Sequence, residues 1–103
     1  GYGRIMKNKS GQLLNIIEDK DADFNQKKIK EINSGIYIFD SKVLIEKIKL
    51  IKNHNAQNEY YLPDIFNFIN VDEKYIYQIS DNTQIMGVNT LDQLKNVEKI
   101  LNE

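Results

Sequence analysis

The apolar positions change period several times along the chain, and each change marks an element. Tyr2 to Lys7 and Gln12 to Glu18 are short runs around Ile5-Met6 and Leu13-Leu14-Asn15-Ile16-Ile17, separated by Asn8-Lys9-Ser10-Gly11. Two strands joined by a turn whose glycine can take positive φ give a hairpin. Asp19 to Lys30 is charged and rich in amides, with no clear period, and predicts a solvated loop with a helical turn at most. Gly35-Ile36-Tyr37-Ile38-Phe39 is continuously apolar, β-branched and aromatic, which suits a central strand buried on both faces. Tyr75 to Ile79 alternates Tyr-Ile-Tyr-Gln-Ile and predicts a half-exposed strand.

Three stretches carry helical spacing. Asp40 or Ser41 caps a helix from Lys42 to about Ile51, with Leu44, Ile48 and Ile51 on one face and Ile45 beside them. A second helix starts near Pro63, tolerated in a first turn, with Leu62, Ile65, Phe66 and Ile69 as its stripe. A third follows Gly87-Val88-Asn89, opened by a capping box in which Thr90 is the N-cap and Gln93 is N3. Leu94, Val97 and Leu101 form its apolar face. The order of elements predicts an α/β or α+β domain whose sheet edges need covering.

Composition narrows the chemistry. The chain has 103 residues, enough for one modest core, and 41% of them are hydrophobic. Its formal net charge is -1, with acids interleaved among the lysines, so the basic face that a nucleic acid needs is missing. There is no cysteine, which excludes disulfides and thiolate chemistry, and the one histidine, His54, cannot supply a multi-histidine metal site. No apolar run reaches the length of a membrane span. These features predict a cytoplasmic domain without membrane contact. The opening Gly1-Tyr2-Gly3-Arg4 lacks an initiator methionine and is expected to be a piece of a longer chain.

Candidate site residues stand at the ends of elements, where open α/β sheets place their ligands. Glu18 ends the second strand, Asn33 enters the central one, and Asn89 precedes the last helix cap. Each has a plainer reading: Asn33 as a turn residue bonding its own backbone, Asn89 as a pre-cap residue, Glu18 as a solvated acid beside Asp19-Lys20-Asp21. In Asn55-Ala56-Gln57-Asn58-Glu59-Tyr60-Tyr61-Leu62-Pro63-Asp64, two adjacent tyrosines at a helix start cannot share one face. One can pack in the core while the other borders a cavity.

Taken in order, Gly1-Tyr2-Gly3-Arg4-Ile5, Ile16-Ile17-Glu18-Asp19-Lys20, Glu31-Ile32-Asn33-Ser34-Gly35, the Asn55–Asp64 stretch and Gly87-Val88-Asn89-Thr90-Leu91 resemble the uridyltransferase domain of the bacterial bifunctional N-acetylglucosamine-1-phosphate uridyltransferase/glucosamine-1-phosphate acetyltransferase family. The resemblance covers nearly the whole chain. It implies the second, sugar-binding half of a Rossmann-like nucleotidyltransferase domain: a mixed sheet with an N-terminal hairpin and about three helices. It implies transfer of uridylyl from UTP to N-acetylglucosamine 1-phosphate, which yields UDP-N-acetylglucosamine, a cell-wall precursor, and pyrophosphate. By the same resemblance Gly3, Glu18, Asn33 and Tyr61 contact the sugar, and Asn89 is a ligand of a catalytic Mg²⁺. The family's Gly-rich loop, uracil-reading residues and metal-binding Asp lie outside these residues, so residues 1–103 alone are expected to be inactive. Two departures are Asn58 and Pro63, where many members have Gly and Thr. The alternatives are another sugar-phosphate nucleotidyltransferase, or a non-catalytic fragment that pairs its strand edges into a homo-oligomer.

Overall fold

The structure is a computed structural model that describes residues 1–102. Strands β1 (Arg4–Lys7) and β2 (Leu13–Ile17) form a two-stranded antiparallel sheet in which Ile5 faces Ile16 and Met6 faces Asn15. The turn between them is organised by Asn8, whose Oδ1 accepts from the backbone N–H groups of Ser10 and Gln12. Gly11 adopts φ 82°, as its turn position requires.

The ladder shifts register between Met6 and Lys7, which breaks the strict alternation of β2, so that Leu13 and Ile16, three residues apart, are both buried, and β2 packs against the helical segment Leu62–Phe68. Ile65 of that segment is fully buried, and Ile51 and Tyr61 complete the core. Burying an isoleucine to this degree stabilises by about 1.5–3 kcal/mol. Two polar ties hold the same layer. Lys74 Nζ donates to the carbonyls of Leu14 (2.5 Å) and Phe66 (3.0 Å), and Gln12 Nε2 donates to Asp72 Oδ1 (3.1 Å). Burial pulls the Lys74 pKa below the usual lysine range.

Helix α1 (Ser41–Lys47) is capped by Asp40, whose carboxylate accepts from the N–H groups of Lys42 and Val43; a 3-10 turn, Ile48–Leu50, extends it. Helix α2 (Leu91–Leu101) has the complete capping box that its sequence announces, Thr90 accepting from Gln93 N–H while Gln93 accepts from Thr90 N–H. The helix expected around Pro63 forms with 3-10 winding, Leu62–Phe68, with Pro63 in the first turn and buried. The loop from Asp19 to Lys30 contains short 3-10 turns at Asp19–Asp21 and Gln26–Lys28. No helix among the described residues is long and apolar enough to cross a membrane.

Two strand expectations fail, and with them the mixed sheet. Neither Gly35 to Phe39 nor Tyr75 to Ile79 is a strand, and the sheet stops at the hairpin plus one isolated antiparallel bridge, Arg4 to Ile32. The cause lies at Asn33. Its N–H donates to Gly3 O (2.8 Å), and the chain then turns through Gly35, at φ 80°, away from β1 before the apolar run begins. A strand needs a neighbour for its backbone groups, and the run meets none among the described residues. Exposure still alternates along it: Ile36 and Ile38 face outward while Tyr37 and Phe39 are half-buried. Tyr75 and Tyr77 are likewise exposed around a half-buried Ile76. An open cavity of about 1250 Å³ lies between the two segments.

Candidate functional site

The hairpin brings the first three candidates to one side of the sheet. Gly3 is buried against the end of β2, and a Cβ there would lie 3.3 Å from Ile17 O, 3.3 Å from Ile16 Cγ2 and 3.5 Å from Asn33 Cβ. A side chain there would force its neighbours to give by a few tenths of an ångström, so glycine suits the close approach. Glu18 leaves β2 directly after Ile17 and is half-buried, not fully solvated. Burial, then the charges of Asp64 and Asp21, push its carboxyl above the usual glutamate range. Asp64 is raised for the same reasons, burial first and Asp21 second. Glu18 thus feels the charges of Asp64 and Asp21, and among the described residues none of these three carboxylates forms an ion pair, whereas Asp19 turns to Arg4 (2.9 Å), whose hydrogen bond lowers its pKa.

Asn33 does what its plainer reading says, and more. Its Oδ1 accepts from Gly35 N–H (3.1 Å), the turn role, while its Nδ2 donates to Tyr37 Oη (2.6 Å). Tyr37 is held by Phe39 and Phe66, with ring centroids 5.9 Å and 5.6 Å away. Asn33 and Tyr37 both line the open cavity, as does Glu31, whose Oε1 pairs with Lys7 (2.5 Å) and whose Oε2 is buried without a hydrogen-bond partner.

Tyr61 is the packed member of the tyrosine pair and Tyr60 the exposed one. The Tyr61 ring borders a smaller cavity of about 280 Å³ with Ile48, Ile51 and Leu62. Its hydroxyl accepts from Gln57 Nε2 (2.7 Å) and lies beside Asp21, which links it to the carboxylates around Glu18. Asn58, in place of the family's common glycine, sits at φ 53°, a conformation that asparagine tolerates best among residues with a side chain. Pro63 fills a buried position at the helix start, so no hydroxyl stands there.

Asn89 is not brought into this cluster directly. It is exposed, and its backbone N–H donates to Gln93 Oε1 (2.7 Å), so Gln93 caps two successive N–H groups. Its side-chain amide takes no part in the cap. The tie to the rest of the site runs through Tyr2, whose hydroxyl accepts from Gly87 N–H (2.8 Å) one residue from Gly3. Among the described residues no three His, Cys, Asp or Glu side chains stand together as a metal site. One neutral amide oxygen does not hold Mg²⁺ without a carboxylate or phosphate beside it. These residues therefore do not fit a magnesium site on their own.

Sequence reasoning missed Tyr37, Asp21, Asp64 and Tyr2. Tyr37 was read as part of a buried strand, although its place four residues after Asn33 is a reach that a turn at Gly35 makes available. Asp21 and Asp64 looked like loop and helix-start acids, and only the fold sets them beside Glu18.

No family model matches the chain. Among individual proteins, it is 46% identical to the bifunctional protein GlmU of Staphylococcus saprophyticus, over 96% of this chain and 22% of that protein. It is 46% identical to the bifunctional protein GlmU of Staphylococcus epidermidis, over 100% of the chain and 23% of the relative, and 45% identical to that of Staphylococcus haemolyticus with the same coverage. The chain spans less than a quarter of the length of these relatives. Along its whole length, the chain is thus similar to one segment of the bifunctional GlmU proteins, and the family resemblance drawn from its residues is a resemblance to them.

Proposed function

We propose that residues 1–103 form the sugar-binding side of a Rossmann-like nucleotidyltransferase domain that joins UTP and N-acetylglucosamine 1-phosphate. In this reading an oxygen of the sugar phosphate attacks the α-phosphorus of UTP, the bond to the β-phosphate breaks, and pyrophosphate leaves. Such transfers depend on positioning and charge neutralisation, and need no side-chain nucleophile. The observation that carries the reading is the convergence of Gly3, Glu18 and Asn33 at one end of the hairpin, in a chain 46% identical to bifunctional GlmU proteins.

The electrostatics favour a sugar over a nucleotide at this end. Glu18, Asp21 and Asp64 repel a triphosphate, but a carboxylate short of donors is suited to sugar hydroxyls. Glu18 would accept hydroxyl hydrogens, and Asn33 would offer the amide hydrogen and lone pair that its turn leaves unused. Tyr61 closes the far wall through the carboxylate neighbourhood of Asp21. Asn89 would give the domain's metal one amide oxygen, with the remaining ligands from elsewhere, and no step of this reading depends on it.

The test uses the chain alone and a graft in which it replaces the matching segment of the Staphylococcus saprophyticus protein. Purified residues 1–103 should form no UDP-N-acetylglucosamine. In the active graft, Asn33→Ala should raise the KM for N-acetylglucosamine 1-phosphate up to about tenfold, the worth of one hydrogen bond to an uncharged group, with the KM for UTP unchanged. Turnover by the isolated chain, or a lower melting temperature with normal kinetics for Asn33→Ala, would defeat the reading.

A further inference from the structure

An asparagine amide recognises a ligand only if its oxygen and nitrogen are on the correct sides, and a rotation of 180° exchanges them. Two neighbours decide the orientation of Asn33. Gly35 N–H can only donate, so the atom it meets at 3.1 Å must be Oδ1. Nδ2 then points at the Tyr37 hydroxyl, 2.6 Å away, which must accept. The first contact sets the orientation and the second keeps the amide from swinging. Tyr37 can do this because its ring is wedged against Phe39 and Phe66. It is half-buried, and burial followed by the nearby Glu18 charge keeps the phenol protonated, although the Asn33 hydrogen bond opposes this.

We propose that Tyr37 is a positioning residue of the sugar site, holding the Asn33 amide in one orientation through its hydroxyl, so that one Nδ2–H and one Oδ1 lone pair remain for the ligand. This paired donor and acceptor suits a group that offers both in return, such as the acetamido group of an amino sugar. The proposal rests on the sugar-binding reading of Asn33. The hydroxyl adds little to packing, which the ring supplies through Phe66, so Tyr37→Phe separates the two roles.

Two measurements test it. In the NMR spectrum of the isolated chain, the Asn33 side-chain NH₂ should show one hydrogen protected from exchange, and Tyr37→Phe should remove that protection while the ring-shifted resonances of Phe39 and Phe66 stay in place. In the graft, Tyr37→Phe should raise the KM for N-acetylglucosamine 1-phosphate about three- to tenfold, leaving the KM for UTP and the melting temperature unchanged. Because Tyr37 acts through Asn33, the double variant Asn33→Ala/Tyr37→Phe should match Asn33→Ala alone. If Asn33→Ala raises the sugar KM and Tyr37→Phe does not, the positioning role is overturned and the sugar site stands. If Asn33→Ala itself has no effect, both fall. An Asn33 NH₂ that exchanges equally fast in wild type and Tyr37→Phe overturns the positioning role without reference to activity.

Discussion

The hairpin side of the molecule and the side formed by 36–39, 75–79 and α2 use similar residues to different ends. On the first, Leu13, Ile16 and Ile65 are buried and backbone groups are paired in a ladder. On the second, Ile38 is 99% exposed, Tyr77 91% and Leu101 79%, although Ile36-Tyr37-Ile38-Phe39 is wholly apolar. The difference is one of partners. Periodicity along a segment says that it can bury a face, but another segment must supply the surface that covers it. The candidate sugar residues Gly3, Glu18 and Asn33 belong to the partnered side, which is why their geometry is built within these 103 residues.

The largest predicted effect breaks the partnered side. Ile65→Ala should destabilise by about 2–5 kcal/mol, because it empties a fully enclosed position in the segment that packs on β2. Urea unfolding followed by far-UV circular dichroism would measure it. The next effect should be local. Thr90→Ala should cost about 1 kcal/mol of helix stability, and because α2 buries no residue, the loss should appear as faster amide exchange in Leu91–Leu101 while the unfolding midpoint of the core stays put. A coupled loss of both would show that α2 packs on the hairpin side.

A smaller effect comes from charge. Glu18 has a raised pKa, so the folded chain binds its proton more tightly than the unfolded chain, and stability falls as pH rises from the ordinary value of 4.5 through the raised one. Glu18→Gln should therefore stabilise the chain at pH 7 by a few tenths of a kcal/mol, since Glu18 is only half-buried and solvent screens part of the effect. The gain should vanish below pH 4.5, where the wild-type carboxyl is protonated in both states. Melting temperatures of the two proteins across pH 3 to 8 would show the curves converge at the acid end. Smallest of all, Ile38→Ser should change stability by less than about 0.5 kcal/mol, because the side chain touches almost nothing. An effect as large as that of Ile65→Ala would mean that the two sides do not differ as described.

Legibility in the sequence followed the same divide. The hairpin, its Asn8–Gly11 turn, the Asp40 cap and the Thr90–Gln93 capping box were readable, because each is a contact between residues close in sequence. The strand at Gly35 to Phe39 was misread, because an apolar run reports burial capacity and not the presence of a neighbour. Among the candidate site residues, Gly3, Glu18 and Asn33 were singled out through motif resemblance and element ends. Asp21, Asp64 and Tyr37 were not, since their meeting with Glu18 and Asn33 is a product of the turn at Gly35 and the placement of Leu62–Phe68. Asn33 shows both outcomes in one residue: its turn role is local and legible, and its partner Tyr37 is not.

The most direct test is a ligand titration of the isotopically labelled chain followed residue by residue by NMR. N-acetylglucosamine 1-phosphate should shift the resonances of Gly3, Glu18 and Asn33 in a saturable way, and UTP at the same concentrations should leave them in place, because the carboxylates around Glu18 favour hydroxyls over a triphosphate. Shifts produced by UTP at these residues, or sugar-phosphate shifts that leave Gly3, Glu18 and Asn33 in place, would contradict the assignment of the sugar site to the hairpin side.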